Sequence, residues 1–186
     1  MSKRDALINA AKHLLWEVGY EAMSPATILK ESGAGQGSFY HHFAGKEALA
    51  REALGQIESE LLEAARDILM ADGAPMERLS AFVTKPRDAG LGCRLGRLVN
   101  ERGVLDSSLR QPIEGYFRKL AQMLTAVLED ARESGGLRAD VNIAQVVRVI
   151  MAGIQGGFIL AKAEADGSAL EETQQALNAY LTTLKT

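Results

Sequence analysis

Residues 24–47 read SPATILKESGAGQGSFYHHFAGKE, and the reading of this stretch decides the fold. Ser24 ahead of Pro25 places an N-cap before the residue type favoured at the first helical position, and Gly33 supplies the stop. Gly33-Ala34-Gly35 then makes a tight connection, because glycine adopts backbone angles closed to other residues. A second short helix covers about Gln36 to Phe43, with Phe39 and Phe43 on one face at i, i+4. Two short helices joined this way match a helix-turn-helix, whose second helix enters a DNA major groove. Burying Phe39 and Phe43 leaves Gln36, Gly37, Ser38, Tyr40, His41 and His42 outward. An amide, hydroxyls and imidazoles there can hydrogen-bond base edges or phosphate oxygens. Lys46 falls in the first turn of the next helix, where the macrodipole disfavours a cation in the absence of an anion. It reads as an exposed side chain, either a phosphate partner or a solvated lysine.

Outward from this stretch the chain reads as helix throughout. A first helix spans about Lys3–Val18, with a Ser2/Asp5 capping box, an apolar stripe of Leu7, Ala11, Leu14, Leu15 and Val18, and Gly19 at a left-handed cap. A long helix from Lys46 to about Ala71 carries Leu49, Ala53, Ile57, Leu61, Ala64 and Ile68 inward. Shorter helices follow at about Met76–Val83 and Leu91–Arg102. The next long one, from near Pro112 to Glu133, has the stripe Ile113, Phe117, Leu120, Leu124, Val127 and Ala131. Residues 143–165 are apolar nearly all round, interrupted by Gln145, Arg148, Gln155 and Lys162, so the stretch reads as a buried helix rather than a membrane span. Ser168 and Glu171 predict a capping box for a last helix to about Leu184. The expected class is all-α, with about nine helices.

Composition sets the limits. The 186 residues are 47% apolar and 24% charged, as in a soluble globular protein. Cys93 is the only cysteine, which excludes an internal disulfide and any multi-cysteine metal site and fits a reducing, cytoplasmic location. The opening Met-Ser-Lys-Arg-Asp leads into a pattern broken by Lys12, His13 and Glu17, unlike a signal peptide. Net charge is −3, and residues 1–50 hold five basic against five acidic side chains. Any nucleic-acid binding here must use placed contacts rather than bulk charge.

Other chemistries fare less well. His41, His42 and His13 lack the carboxylate or cysteine spacing that completes a metal site. Ser38 and His42 have no nucleophile elbow around them. Arg94 and Arg97 suit an anionic ligand, although Arg97 and Glu101 at i, i+4 also suit a surface ion pair. The Met and Phe residues of 68–128 read equally as plain core or as the lining of a ligand cleft. Cys93 is either an inert small hydrophobe or, with Arg94 and Arg97 near it, an activated thiol. A thiol-dependent enzyme at Cys93 and a helical adaptor using residues 143–184 are the alternatives to a DNA-binding regulator.

The run GAGQGSFYHHFAGKEAL over residues 33–49, with Ala10-Ala11, Leu14, Gly19, Tyr20 and Ser24, resembles the signature of TetR-type transcriptional regulators. The resemblance implies DNA contacts from Ser24, Thr27, Gln36, Gly37, Ser38, Tyr40, His42 and Lys46. It implies a DNA-binding domain over 1–47 and a helical effector-binding and dimerisation domain over 48–186. It also implies a homodimeric, ligand-responsive repressor on a palindromic double-stranded operator, with no enzyme activity, cofactor, metal or membrane. Gly92-Cys93-Arg94-Leu95-Gly96 is similar to one glycine–cysteine subgroup of such C-terminal domains, and Phe82, Cys93, Arg97 and Phe117 are the expected effector contacts. Dimerisation has support of its own, since an apolar 143–165 helix needs cover. Ala152, Gly153, Gly156 and Gly157 offer a small-residue strip for a partner helix, with Leu177 and Leu181 beside it.

Overall fold

The computed structural model describes residues 2–90 and 92–186, and among these the protein is all-helical with no strand. In chain order the helices are α1 (Lys3–Glu17), α2 (Pro25–Ser32), α3 (Gln36–His42), α4 (Lys46–Leu69), α5 (Pro75–Thr84), α6 (Arg102–Leu105), α7 (Arg110–Glu133), α8 (Ile143–Glu164) and α9 (Ser168–Thr183). A 3-10 turn at Gly96–Asn100 precedes α6. The described residues divide into two compact units, Met1–Glu60 with Arg94–Tyr116, and Leu61–Cys93 with Phe117–Thr186. The continuous helices α4 and α7 each contribute to both. Packing therefore draws more of the chain around the helix-turn-helix than residues 1–47.

In the first unit the ends of α1 and α2 form as their sequences dictate. Ser2 Oγ accepts from Asp5 N–H and Asp5 accepts from Ser2 N–H, each at 3.1 Å. Gly19 and Gly33 take φ of 89° and 63° at the two helix ends, the left-handed region that glycine enters without strain. Val18 was expected on the apolar stripe but is exposed, because α1 stops at Glu17 and the chain turns away at Gly19. α1 packs on α2 and α3 through Leu7, Ala11, Leu14 and Leu15. On α4, Glu60 bridges Lys12 of α1 and Arg94.

The expected helix over Leu91–Arg102 does not form, and Leu91 itself lies outside the described residues. Gly92 has φ 79°, which no right-handed helix can contain, so helical turns resume only at Gly96. The inward stripe of α4 also differs from expectation. Leu49, Ala53 and Ile57 are buried, but thereafter Leu62, Ala65 and Leu69 are buried while Leu61, Ala64 and Ile68 are half-buried. The fully buried face thus steps round by one residue in the second half of α4.

In the second unit α8 packs on α9, and α9 on α5. A Cβ on Gly153 would lie 2.8 Å from Leu177 Cδ2, and one on Gly157 2.8 Å from Leu170 Cδ1. Gly153, Gly157, Leu177 and Leu181, expected at a dimer interface, are thus engaged within one chain: the two glycines admit α9, and both leucines are buried. Ala152 and Gly156 face away from α9, with nothing within 4 Å of a Cβ on Gly156. Buried Gln174 donates to the carbonyls of Val83 and Lys85, both at 2.8 Å, and so satisfies the orphaned C-terminal end of α5. The expected Ser168 capping box is absent. Asp166 Oδ1 instead accepts from Ser168 N–H at 2.9 Å, and Gly167 is the cap residue.

Two expectations follow. Gly153→Ala should be less stable than Gly55→Ala, by about 1 kcal/mol or more, in urea unfolding. Both substitutions gain helix propensity, but only the first presses on a packed neighbour, since a Cβ on Gly55 meets nothing within 4 Å. Equal midpoints would refute the close α8–α9 approach. For Glu60, burial raises the carboxyl pKa, but hydrogen bonds and charge from Lys12 and Arg94 outweigh it and hold the group below its ordinary value. A lowered folded-state pKa stabilises above the unfolded value and is lost as pH falls through the folded one. Glu60→Gln should therefore flatten the acid limb of the stability profile while leaving a smaller, pH-independent loss near neutrality.

Candidate nucleic-acid interface

α3 has only seven residues, so it must be held by what it buries. Phe39 is 1% exposed and Phe43 5%, their ring centroids 6.4 Å apart, and the Arg4 guanidinium lies 5.6 Å from the centre of the Phe43 ring. Burying an aromatic side chain of this size stabilises by roughly 1.5–3 kcal/mol. With that face anchored, Gln36, Gly37, Tyr40, His41 and His42 are exposed and Ser38 is half-buried. Tyr40 stands edge-on to Phe39, centroids 5.0 Å apart, with 54% of its surface exposed. The ring is braced by Phe39 while more than half of the residue stays open to solvent. Nothing lies within 4 Å of a Cβ on Gly35 or Gly37, so the backbone at the start of α3 is open to a close approach.

Ser24 and Thr27 occupy the start of α2, but their hydroxyls already serve the helix. Ser24 Oγ accepts from Thr27 N–H at 3.1 Å, while Thr27 Oγ1 accepts from Ser24 N–H at 2.9 Å and donates to Ser24 O at 2.8 Å. Lys46 departs further from expectation. It is half-buried rather than exposed, and its Nζ donates to Tyr20 O at 2.9 Å and Met23 O at 2.8 Å, 4.2 Å from the centre of the Tyr20 ring. The lysine ties the loop between α1 and α2 to the start of α4. Burial, with Glu47 nearby, raises the Tyr20 hydroxyl pKa.

The remaining residues singled out in the sequence are scattered. Phe82 is buried on α5 beneath the guanidinium of Arg87, and Phe117 is half-buried on α7. Cys93 is half-buried after Gly92, in the second unit. Arg97 belongs to the first unit, where its Nη1 is shut off from solvent with no hydrogen-bond partner among the described residues. The expected Arg97–Glu101 ion pair does not occur. Glu101 instead accepts from the backbone N–H of Glu21 at 2.7 Å. That contact joins residues eighty positions apart and leaves no periodic trace in the sequence.

Residues 7–53 match the family described as "Bacterial regulatory proteins, tetR family", and residues 73–177 match "Tetracyclin repressor-like, C-terminal domain". The chain belongs to the TetR family. It is 31% identical over 170 residues to the transcriptional regulator AcuR of Cereibacter sphaeroides, across 86% of this chain and 76% of that protein. It is 28% identical over 179 residues to an HTH-type regulator of Lactococcus lactis, across 90% of this chain and 87% of that one. Two solved structures share the fold. One is the reduced form of E. coli NemR, with TM-score 0.84, 24% identity, and 100% and 98% of the chains covered. The other is a TetR regulator from Chloroflexus aurantiacus, with TM-score 0.88, 20% identity, and 98% and 96% covered. As a TetR-family transcriptional regulator the protein binds DNA, and regulators of the family bind operators and dimerise.

Lys46→Ala tests which role the lysine plays. Loss of two charge-assisted hydrogen bonds should lower unfolding stability by about 1–3 kcal/mol. A lysine acting only on phosphate would leave stability unchanged and lower the slope of log affinity against log salt by about 1.

Proposed function

We propose that this TetR-family regulator is a cytoplasmic repressor that occupies a palindromic operator as a homodimer and leaves it when a small-molecule inducer binds. The observation that carries the reading is the outer face of α3, a rigid helix with Gln36, Tyr40 and His42 exposed over a buried aromatic base. In this reading Gln36 pairs with an adenine edge, and Tyr40 and His42 hold phosphates. Gly37 and Ser38 let backbone and hydroxyl approach the strand. Ser24 and Thr27 offer phosphate contacts from the start of α2. Lys46 adds its charge at the start of α4 while it holds the loop.

In this reading residues 1–47 carry the DNA contacts, and the effector and dimer surfaces lie within 48–186. Phe82, Cys93 and Phe117, all in the second unit, are the effector contacts we propose, and an inducer acts by favouring a spacing of the two recognition helices that no longer matches consecutive grooves. The dimer surface includes Ala152 and Gly156 with Val149, Ile159 and Leu160, the exposed side of α8. That helix is the one stretch among the described residues long and apolar enough to cross a membrane, with a mean hydropathy of 1.7, yet only 33% of its most apolar window is buried within the chain. A second subunit is the cover that fits a DNA-binding dimer. The relatives are named as regulators, which supports a protein without catalytic activity.

Selection of duplexes from a random pool by the full-length protein is the test. Two half-sites related by symmetry should emerge, roughly 34–36 Å or a multiple apart. Gln36→Ala should relax base preference at one position per half-site, and Tyr40→Phe should weaken binding to all sequences alike. Single, unpaired sites bound by a monomer in sedimentation would overturn the reading.

A further inference from the structure

The segment after Cys93 is built into the same compact unit as the helix-turn-helix, and its contacts converge on one loop. Residues 19–23 connect α1 to α2 and lead directly into the Ser24 cap. From one side Lys46 holds the carbonyls of Tyr20 and Met23. From the other, Glu101 Oε2 accepts from Glu21 N–H at 2.7 Å, and Glu21 Oε1 accepts from Gly103 N–H at 3.1 Å. The exchange is reciprocal: each glutamate side chain accepts an amide of the opposite segment. Gly19 makes room for it, since a Cβ there would collide with the Glu101 carboxylate. A Cβ on Gly103 would lie 3.3 Å from two carbons of the Tyr20 ring, so the two segments also pack closely. Close by, Glu47 Oε1 on α4, one residue beyond Lys46, accepts from Ser108 Oγ at 2.8 Å.

Each of the two carboxylates brought to this loop accepts from a backbone N–H of the opposite segment. What both find is a backbone donor, and an ionised acceptor makes a short, directional bond to an N–H. Such a bond fixes where a loop runs rather than merely adding stability. We propose that Glu101 and Glu21 are positioning residues for operator binding: they hold the loop that sets α2, and hence α3, against α1. The pair makes the 96–105 segment part of the DNA-reading apparatus. This rests on α3 as the reading helix.

The test uses full-length variants, the selected operator duplex and unrelated duplex of equal length. Glu101→Ala should bind the operator about tenfold more weakly, the loss of one charge-assisted hydrogen bond. Its salt slope should match the wild type, because no phosphate contact is removed. Affinity for unrelated duplex should hardly change. Glu101→Gln keeps an accepting oxygen and should restore most operator affinity. Glu21→Ala should mimic Glu101→Ala, and the double variant should bind no more weakly than the weaker single one. A folded Glu101→Ala with wild-type operator affinity would overturn the proposal, as would a Glu101→Gln as weak as the alanine. If Glu101→Ala does not fold, Glu21→Ala is read in its place, and failure of both to fold assigns the pair to stability alone. Should Gln36→Ala and Tyr40→Phe bind as wild type, α3 is not the reading helix. Should they bind differently while Glu101→Ala does not, only the positioning role falls.

Discussion

The short helix α3, which we propose reads DNA, cannot exist by itself. Seven residues fall well short of the length at which a helix is stable in water, and α3 contains a glycine and two histidines. It persists because Phe39 and Phe43 are buried beneath it, one turn apart, with α1 packed against the same helix. Everything outward on α3 follows from what is pinned inward. Tyr40 is presented at a fixed angle because Phe39 braces its ring edge-on. The open backbone at Gly35 and Gly37 is tolerable for the same reason: flexibility at the start of a short helix is limited when its other end is buried.

Charge plays a different part here than a basic groove would suggest. The N-terminal fifty residues carry no net charge, and several cations are already engaged: Arg4 with Glu52, Lys12 with Glu60, and Lys46 with two carbonyls. These interactions assemble the unit that carries α3. In the proposed reading, selectivity rests on geometry, and geometry on how the loop at 19–23 is held. That loop has a lysine on one side and two carboxylate–amide bonds on the other, and all are polar contacts of precise direction.

What could be read from sequence divides along physical lines. Local signals carried through: the Ser2/Asp5 capping box, the Ser24 N-cap, Pro25 at its first helical position, the stops at Gly19 and Gly33, and the i, i+4 phenylalanines. Each depends on residues within one turn of one another. One local signal failed, the Ser168 capping box, because Asp166 takes the Ser168 amide; the other failures discussed are contacts between distant segments. Lys46 looked exposed because nothing adjacent in sequence announces that the carbonyls of Tyr20 and Met23 will meet it. In sequence Glu101 reads as half of a helical ion pair, because residues 91–102 carry a helical pattern. Gly92 at positive φ removed that helix, and with it the i, i+4 geometry.

The glycines of α8 show why a periodic pattern identifies a close approach without saying to what. Gly153 and Gly157 are one turn apart, and so are Ala152 and Gly156, yet the two pairs lie on different faces. α9 takes the first pair, pressing Leu177 and Leu170 into the spaces. On the other face Val149, Ile159 and Leu160 remain exposed beside Ala152 and Gly156. A helix this apolar but mostly uncovered gains by removing that face from water, at about 25 cal/mol for each Å² of apolar surface. Two copies meeting across a two-fold axis present the same face to each other, so one apolar strip supplies both sides of the contact. In the proposed dimer a two-fold axis also relates the two copies of α3, the symmetry a palindromic operator requires.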